Sequence, residues 1–374
     1  MQNDIRLGKI FGVEIFISYS WFFIFALVTI TLSFGFFPGQ FPKQSTTTNV
    51  AVGLFASALF FSSLLFHELS HAYVANLNDI PIKKITLFIF GGMSQMSEEP
   101  HTPGAEFKMA VAGPASSFLL AGLFYAIYRG MFLAGLPTPF YAAFFWLADI
   151  NFFLALFNLA PGFPLDGGRV LRATVWSMTK NMEKATNIAS KAGQGVGFAL
   201  ISFGVLLFLM GQVGGVWLVL LGWFLNQSAV ASFRQMMVQQ SLADVEVAAI
   251  MSADVATVSP DVTLEQLVND YFLKYRFGRF PIVNGESLLG VVTLHDIKDV
   301  PREDWPRVSA SEIIEPLSED MFVRPQDPAI KALIKMAEED IGHLLVVDRE
   351  KGLVGIVTRS DIVRIIRVRN ELNI

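Results

Sequence analysis

Long apolar runs constrain this chain more than any other feature. They lie at about residues 16–37, 50–76, 106–134, 139–160, 190–211 and 214–236. A helix needs ~20 apolar residues to cross a hydrocarbon core ~30 Å thick. Inside lipid, only helices and closed barrels satisfy their own backbone hydrogen bonds. The runs therefore predict a polytopic α-helical membrane domain with about six transmembrane helices. The run 139–160 is the least uniform, because Asp149, Asn151 and Asn158 interrupt it. The stretch 190–236 reads as two helices, with Gly211, Gly214 and Gly215 breaking them apart.

Charge divides the chain in two. Residues 1–240 carry a net +3 and residues 241–374 a net −8, which together give the chain's −5. The first part reads as membrane-embedded. The second is a soluble domain with charges of both signs interspersed. Its acidic balance gives no support for nucleic-acid binding. The chain has no cysteine, which excludes disulfides, thiolate metal sites and thiol nucleophiles. Asp4, Arg6, Lys9 and Glu14 precede the first apolar run, and that run is long enough to span, so it reads as a retained membrane segment. Arg6, Lys9, Lys83, Lys84, Lys108, Arg169, Arg172, Lys180, Lys184, Lys191 and Arg234 fall on one side of a six-span topology. Only Lys43 and Arg129 fall on the other. By the positive-inside rule, both termini and the soluble domain lie in the cytoplasm.

Two short segments read as β structure. Gly8–Ser18 alternates loosely and fits a strand at the membrane face. Residues 80–97, rich in β-branched side chains and containing Gly91-Gly92, fit a hairpin dipping into the membrane; an interfacial loop is the alternative. The soluble domain contains a repeat. Gly290-Val291-Val292-Thr293-Leu294-His295-Asp296-Ile297 recurs 65 residues later as Gly355-Ile356-Val357-Thr358-Arg359-Ser360-Asp361-Ile362. Strand-like runs precede each copy at 279–283 and 343–347, and amphipathic helices precede those at about 263–274 and 328–339. With leading strands at Val255–Val258 and Met321–Arg324, each unit reads strand, helix, strand, strand, helix. Two such units can bury each other's apolar faces in an α+β domain.

The second apolar run ends in His67-Glu68-Leu69-Ser70-His71. Histidines four apart share one helix face. Imidazoles suit zinc, and an adjacent carboxylate can serve as general base. Ionisable groups in a span are rare and usually functional. His67 follows the run's outer end by roughly 25 Å of helix, which places it inside the membrane but near the cytoplasmic face. A catalytic zinc commonly takes three protein ligands and keeps one open position. Asp166 is the best third ligand, in a Pro- and Gly-broken stretch at a depth similar to His71. Asp149 is the rival, though it lies nearer the outer half. A plain helix N-cap is the alternative role for Asp166.

Together these segments resemble the site-2 protease family, the intramembrane zinc metalloproteases, in the form that carries a C-terminal CBS domain pair. The matching residues are His67-Glu68-Leu69-Ser70-His71 and Asn158…Pro161…Leu165-Asp166-Gly167, with Phe90-Gly91-Gly92 and Ala112-Gly113-Pro114 in support. The resemblance covers about residues 8–235, and the CBS match about 244–369, with repeats at about 244–300 and 308–369. It implies that His67, His71 and Asp166 bind one Zn²⁺, that Glu68 is the catalytic acid/base, and that Asn158 holds substrate backbone or the oxyanion. A helix–helix hydrogen bond is the alternative for Asn158. Ser117 departs from the family, where Asn is common at that position; no loss of activity is expected from the change. The implied substrate is a single-span membrane protein, unwound locally before it is cut.

In the tail, the resemblance assigns Asp296 and Asp361 to ribose hydroxyls and Thr293 and Thr358 to phosphate, implying ATP or AMP as a regulatory ligand. Ordinary helix capping is the alternative for these four residues. CBS pairs often associate in twos, so a homodimer is expected. The implied setting is a prokaryotic-type cell membrane. His101, His295 and His343 read as surface or interface residues, and Glu98 and Glu99 as part of a solvated loop. Other functional classes compatible with the sequence are a metal-holding membrane protein that recognises transmembrane partners without cutting, and a nucleotide-gated transporter. Intact Glu68 argues against the first. The concentration of ionisable groups at one site argues against the second.

Overall fold

The computed structural model describes residues 4–89, 91–96, 100–136, 139–275, 277–285, 287–339, 341–349 and 352–372. Phe90, Glu98 and Glu99 lie outside the described residues. The chain divides into two units, Met1–Arg234 and Gln235–Ile374, six residues earlier than the charge pattern suggested.

The first unit opens with β1 (Ile5–Ile10) and β2 (Val13–Ile17). The single strand expected over 8–18 is thus a hairpin, turned at Phe11-Gly12, where both residues have positive φ. α1 (Tyr19–Ile30), a π-helical turn (Thr31–Phe36) and α2 (Phe37–Gln40) follow as one continuous helical stretch. Then come α3 (Thr46–Asn76), β3 (Ile82–Phe88), β4 (Gly91–Met96), α4 (Pro103–Leu133) and α5 (Pro139–Asn158). The unit continues with α6 (Asp166–Thr179), α7 (Met182–Leu209) and the part of α8 (Gly215–Ala243) up to Arg234. Among the described residues six helical stretches are long and apolar enough to cross a membrane: Tyr19–Gln40, α3, α4, α5, α7 and α8. The 14-residue α6 was not anticipated from sequence. Its charges and glycines mask any long apolar run, so it connects spans without being one.

The four strands form one sheet in the order β1-β2-β3-β4, with β2 and β3 parallel. Val13, Ile15 and Ile17 are buried, while Glu14 and Phe16 between them are not, the two-residue period of a strand with one covered face. That face packs on Ala72 and Ala75 near the end of α3 and on Ala105 and Met109 at the start of α4. This packing sets the sheet against the helix that carries the histidine pair.

The second unit holds two similar halves. In the first, α9 (Val247–Ile250) is followed by α10 (Leu264–Gln266), a π-helical segment (Leu267–Phe272) and α11 (Leu273–Tyr275), then β5 (Arg279–Asn284), β6 (Ser287–Thr293) and α12 (Leu294–Lys298). In the second, β7 (Phe322–Val323), α13 (Ala329–Glu338), β8 (His343–Asp348), β9 (Gly352–Thr358) and α14 (Arg359–Leu372) repeat the pattern. Of the expected leading strands, Val255–Val258 makes only an isolated bridge, Val258 to Ile282, and Met321–Arg324 shrinks to the two residues of β7. Each half has its own apolar cluster, one around Phe280 and Ile282, the other around Leu344 and Val346. The hairpins β5–β6 and β8–β9 share a register, pairing Arg279 with Thr293 and His343 with Thr358.

Candidate active site and metal centre

α3 places His67 and His71 one turn apart on its buried face, with their rings edge to face. Asp166 comes from the first residue of α6, and Leu165, with no capping side chain, occupies the cap position. Asp166 is therefore not the N-cap; its carboxylate turns toward the imidazoles. His67 Nε2 and His71 Nε2 each lie 3.2 Å from Asp166 Oδ2 and 3.2 Å from one another. The rival Asp149 is exposed on α5, away from this cluster. Among the described residues, His67, His71 and Asp166 are the group whose geometry suits a metal.

Hydrogen bonds on the far side of each ring set this triangle. His71 Nδ1 donates to the Met109 carbonyl at 2.7 Å. A carbonyl only accepts, so the neutral ring turns its Nε2 lone pair toward the triangle's centre. His67 Nδ1 and Ser117 Oγ share a hydrogen bond of 2.9 Å, which turns the Nε2 of that ring toward the same centre. Two Nε2 atoms and a carboxylate oxygen thus converge, an arrangement that a cation between them would stabilise. Zinc bonds of ~2.0–2.2 Å in a tetrahedron put ligand atoms ~3.3–3.5 Å apart, close to the edges seen here. Gly113 supplies the room. A Cβ at that position would press on Nε2 of both histidines. The residues present fit zinc.

Ser117, a departure expected to be silent, is fully buried and is the group that fixes His67. Partners of this kind orient metal ligands and tune their basicity. Ser117→Ala is expected to weaken zinc affinity by ~10–100-fold. Competition against a chelating dye would measure it, and unchanged affinity would mean that His67 needs no such partner.

Glu68 is half-buried, and its Oε2 accepts a hydrogen bond from Ser94 Oγ of β4 at 3.0 Å. Gly92 lets the strand come this close, since a side chain there would strike the Glu68 carboxylate. Glu68 and the triad border a cavity of about 400 Å³. Leu154, Phe157, Leu221, Phe224 and Leu225 supply apolar wall, and Asn158 lines it together with Gly92 and Ser94. A cavity of this size, apolar with a few converging polar groups, has the makeup of a ligand-binding site.

The delivery of Asp166 depends on close backbone packing. The loop 159–165 folds under the first turn of α6, where Gly167 and Gly168 touch the backbone of Leu159, Gly162 and Phe163. Phe163 N–H donates to the Ala189 carbonyl of α7 at 3.1 Å, and Gly193 admits the Phe163 carbonyl. Sequence reasoning missed Ser94, Gly92 and the Met109 carbonyl. Gly92 and Gly113 stood inside quoted motifs, but a lone glycine does not say what approaches it.

In the second unit, Thr293 donates through both its N–H and its hydroxyl to Asp296 Oδ2, at 2.7 and 2.8 Å. Thr358 does the same to Asp361, at 3.0 and 2.7 Å. Both pairs therefore cap helices, as the plainer reading held. Thr293 and Asp296 also border an open cleft of about 510 Å³ with Arg279, His295, Glu315 and His343. Thr358 and Asp361 are not among the residues lining it. His343 is half-buried and borders this cleft. Burial and then the neighbouring Arg279 guanidinium hold its imidazole below the ordinary value.

The model of peptidase family M50 matches residues 55–139 and 136–204, and the CBS domain model matches 247–303 and 310–368. A Synechocystis sp. protein named "Putative zinc metalloprotease sll0528" is 35% identical over 371 residues, spanning 97% of this chain and 96% of its own. Zinc metalloprotease MJ0392 of Methanocaldococcus jannaschii is 29% identical over 378 residues, spanning 100% of this chain and 99% of its own. The solved site-2 protease from the same organism aligns at 28% identity and a TM-score of 0.43, covering 62% of this chain and 95% of that one. With six candidate spans among the described residues, the family-model matches and the Synechocystis relative, the chain belongs to peptidase family M50, the site-2 protease family of multi-pass membrane zinc metalloproteases, in the form that carries a CBS domain pair.

Proposed function

We propose that this protein hydrolyses peptide bonds in or near transmembrane helices of single-span membrane proteins, and that adenine nucleotide bound at the CBS pair regulates it. The observation that carries the first part is the placement of Glu68 between the three-ligand cluster and β4. In the order β1-β2-β3-β4, β4 is the edge strand, and its second edge has no strand partner among the described residues.

His67, His71 and Asp166 would hold the zinc. A zinc ion there would supply Lewis acidity, which lowers the pKa of water and draws electrons from a carbonyl. Glu68 takes the proton from the attacking water and returns one to the leaving nitrogen. Ser94 keeps the Glu68 carboxylate facing the cavity in the meantime. Asn158, in the cavity lining, can donate its amide N–H to the substrate backbone. A transmembrane helix hides its carbonyls in its own hydrogen bonds, so it must unwind before it can be cut. The free edge of β4 offers the unwound segment replacement hydrogen bonds by strand addition, and the apolar walls take its side chains.

Proline substitution tests this step. In β3 it would break the sheet from within, because β3 is paired on both sides. The informative positions are Met93 and Met96 of β4, because Gly91 has a φ of 134° that proline cannot adopt, and Gly92 and Ser94 touch Glu68. Proline removes one N–H, so where that N–H faces the free edge cleavage of a single-span substrate is expected to fall by ~2–10-fold, roughly the worth of one hydrogen bond. Zinc should stay bound. Undiminished cleavage at both positions would remove strand addition from the account.

The distribution of basic residues supports a cytoplasmic side for both termini and the CBS pair in a prokaryotic-type cell membrane, and the proposal includes homodimerisation through that pair. The cleft bordered by Thr293, Asp296, Arg279 and His343 supports the nucleotide reading: a carboxylate for ribose hydroxyls, a hydroxyl and a guanidinium for phosphate. Titration of the full chain with ATP or AMP checks it. Asp296→Asn is expected to weaken binding by ~10–100-fold, the worth of charge-assisted hydrogen bonds of ~1.5–3 kcal/mol. Asp361→Asn, outside this cleft, should change it little. Absence of binding to the wild-type chain would refute nucleotide regulation.

A further inference from the structure

We infer that the buried ion pair between Glu106 and Arg172 is a positioning device for the metal site, holding α6 in the register that brings Asp166 to the two histidines. The inference rests on the reading of His67, His71 and Asp166 as zinc ligands. Glu106, in the first turn of α4, is completely buried, and Arg172, in α6, is 5% exposed. Arg172 Nε donates to Glu106 Oε1 at 2.6 Å, and Nη2 lies 2.5 Å from the same oxygen.

Each partner is tied to a different part of the triad. Glu106 lies one turn before Met109, whose carbonyl accepts from His71 Nδ1. Arg172 lies six residues after Asp166 on the same helix, and its guanidinium covers the Phe163 ring at 5.2 Å, in the loop that delivers Asp166. The buried residues of α6 are Gly167, Gly168, Arg172 and Ala173, and Leu171 packs beside them on Phe163, Ala189 and Ala229. These contacts seat α6 on its loop and on α7 and α8, and the directional bond from Arg172 ties it to α4. A buried ion pair is a poor source of net stability, because desolvation offsets its attraction, but it can specify one arrangement. A metal site needs its ligands held within ~0.5 Å.

The test uses the full-length chain in detergent, with Co²⁺ as the probe and its visible absorption reporting tetrahedral coordination. Four chains are compared with wild type: Asp166→Asn, Arg172→Lys, Glu106→Gln, and the paired Glu106→Leu/Arg172→Met, which leaves no lone buried charge. Thermal unfolding without metal reports folding separately. Arg172→Lys keeps the charge but loses the planar fork. It is expected to stay folded and bind Co²⁺ ~10–100-fold more weakly, the usual effect of losing a group that orients metal ligands. The folded paired variant should show the same loss. Any folded variant of the pair that binds Co²⁺ within ~2-fold of wild type, well below that range, would overturn the inference. So would failure of every pair variant to fold, since the pair would then hold the fold and not the site. If wild type and Asp166→Asn bind Co²⁺ alike, the metal-site reading itself fails, and the two failures are thereby told apart.

Discussion

Glu68→Gln is expected to slow peptide cleavage by ~10²–10⁴-fold, the usual worth of a general acid/base, while zinc content and thermal stability stay at wild-type levels. Glutamine has nearly the same shape. Its amide oxygen can still accept from Ser94, so β4 keeps its seat against α3. What disappears is the ability to take a proton from water and hand it to the leaving nitrogen. The three candidate ligands, His67, His71 and Asp166, are untouched by the change. Cleavage of a purified single-span substrate, measured beside elemental analysis, separates the outcomes. Cleavage within ~10-fold of wild type, short of the general-base range, would mean that another group is the base. Loss of zinc would mean that Glu68 is a ligand.

Gly113→Ala is expected to abolish metal binding without unfolding the protein, an effect out of proportion to one methyl group. Alanine is the better helix former by ~1 kcal/mol, so α4 itself gains. The new Cβ, however, would lie against Nε2 of both His67 and His71, where the ion belongs. Neither ring can swing aside cheaply, because His71 is held by the Met109 carbonyl and His67 by Ser117. Zinc affinity should fall by more than ~100-fold, beyond what loss of a ligand-orienting partner causes, and cleavage with it. The metal-free chain should stay folded, with a lowered unfolding temperature, because the same overlap strains both rings. A Gly113→Ala chain that binds zinc as wild type does would show that the ion sits elsewhere.

The parts of this site that were legible in the sequence are those whose spacing is itself chemistry. His67 and His71 share a face because an α-helix repeats every 3.6 residues, and Glu68 follows from the same motif. The six spans were legible because bilayer thickness sets their length. Asp166 could be nominated by depth, but its route to the histidines lies in backbone contacts among Gly162, Gly167, Gly168 and Gly193, which no periodicity reports. Ser94 and Ser117 were hidden for a related reason. Each acts on a residue 26 or 50 positions away, and only the fold brings them together. The short α6 escaped notice because two glycines and two arginines follow its first residue within a 14-residue helix. In the second unit the repeat was plain, yet its leading strands were overestimated, since pairing partners and not β-propensity decide how long a strand runs.

The central claim is that one zinc ion is held by His67, His71 and Asp166. Zinc-edge X-ray absorption on the purified full-length chain tests it most directly. The account predicts one zinc per chain, coordinated by two imidazole nitrogens with oxygen filling the remaining positions, and a marked fall in zinc content for Asp166→Asn. A shell with three or more imidazoles, drawn from the chain's five histidines, or a purified active chain without zinc, would contradict it.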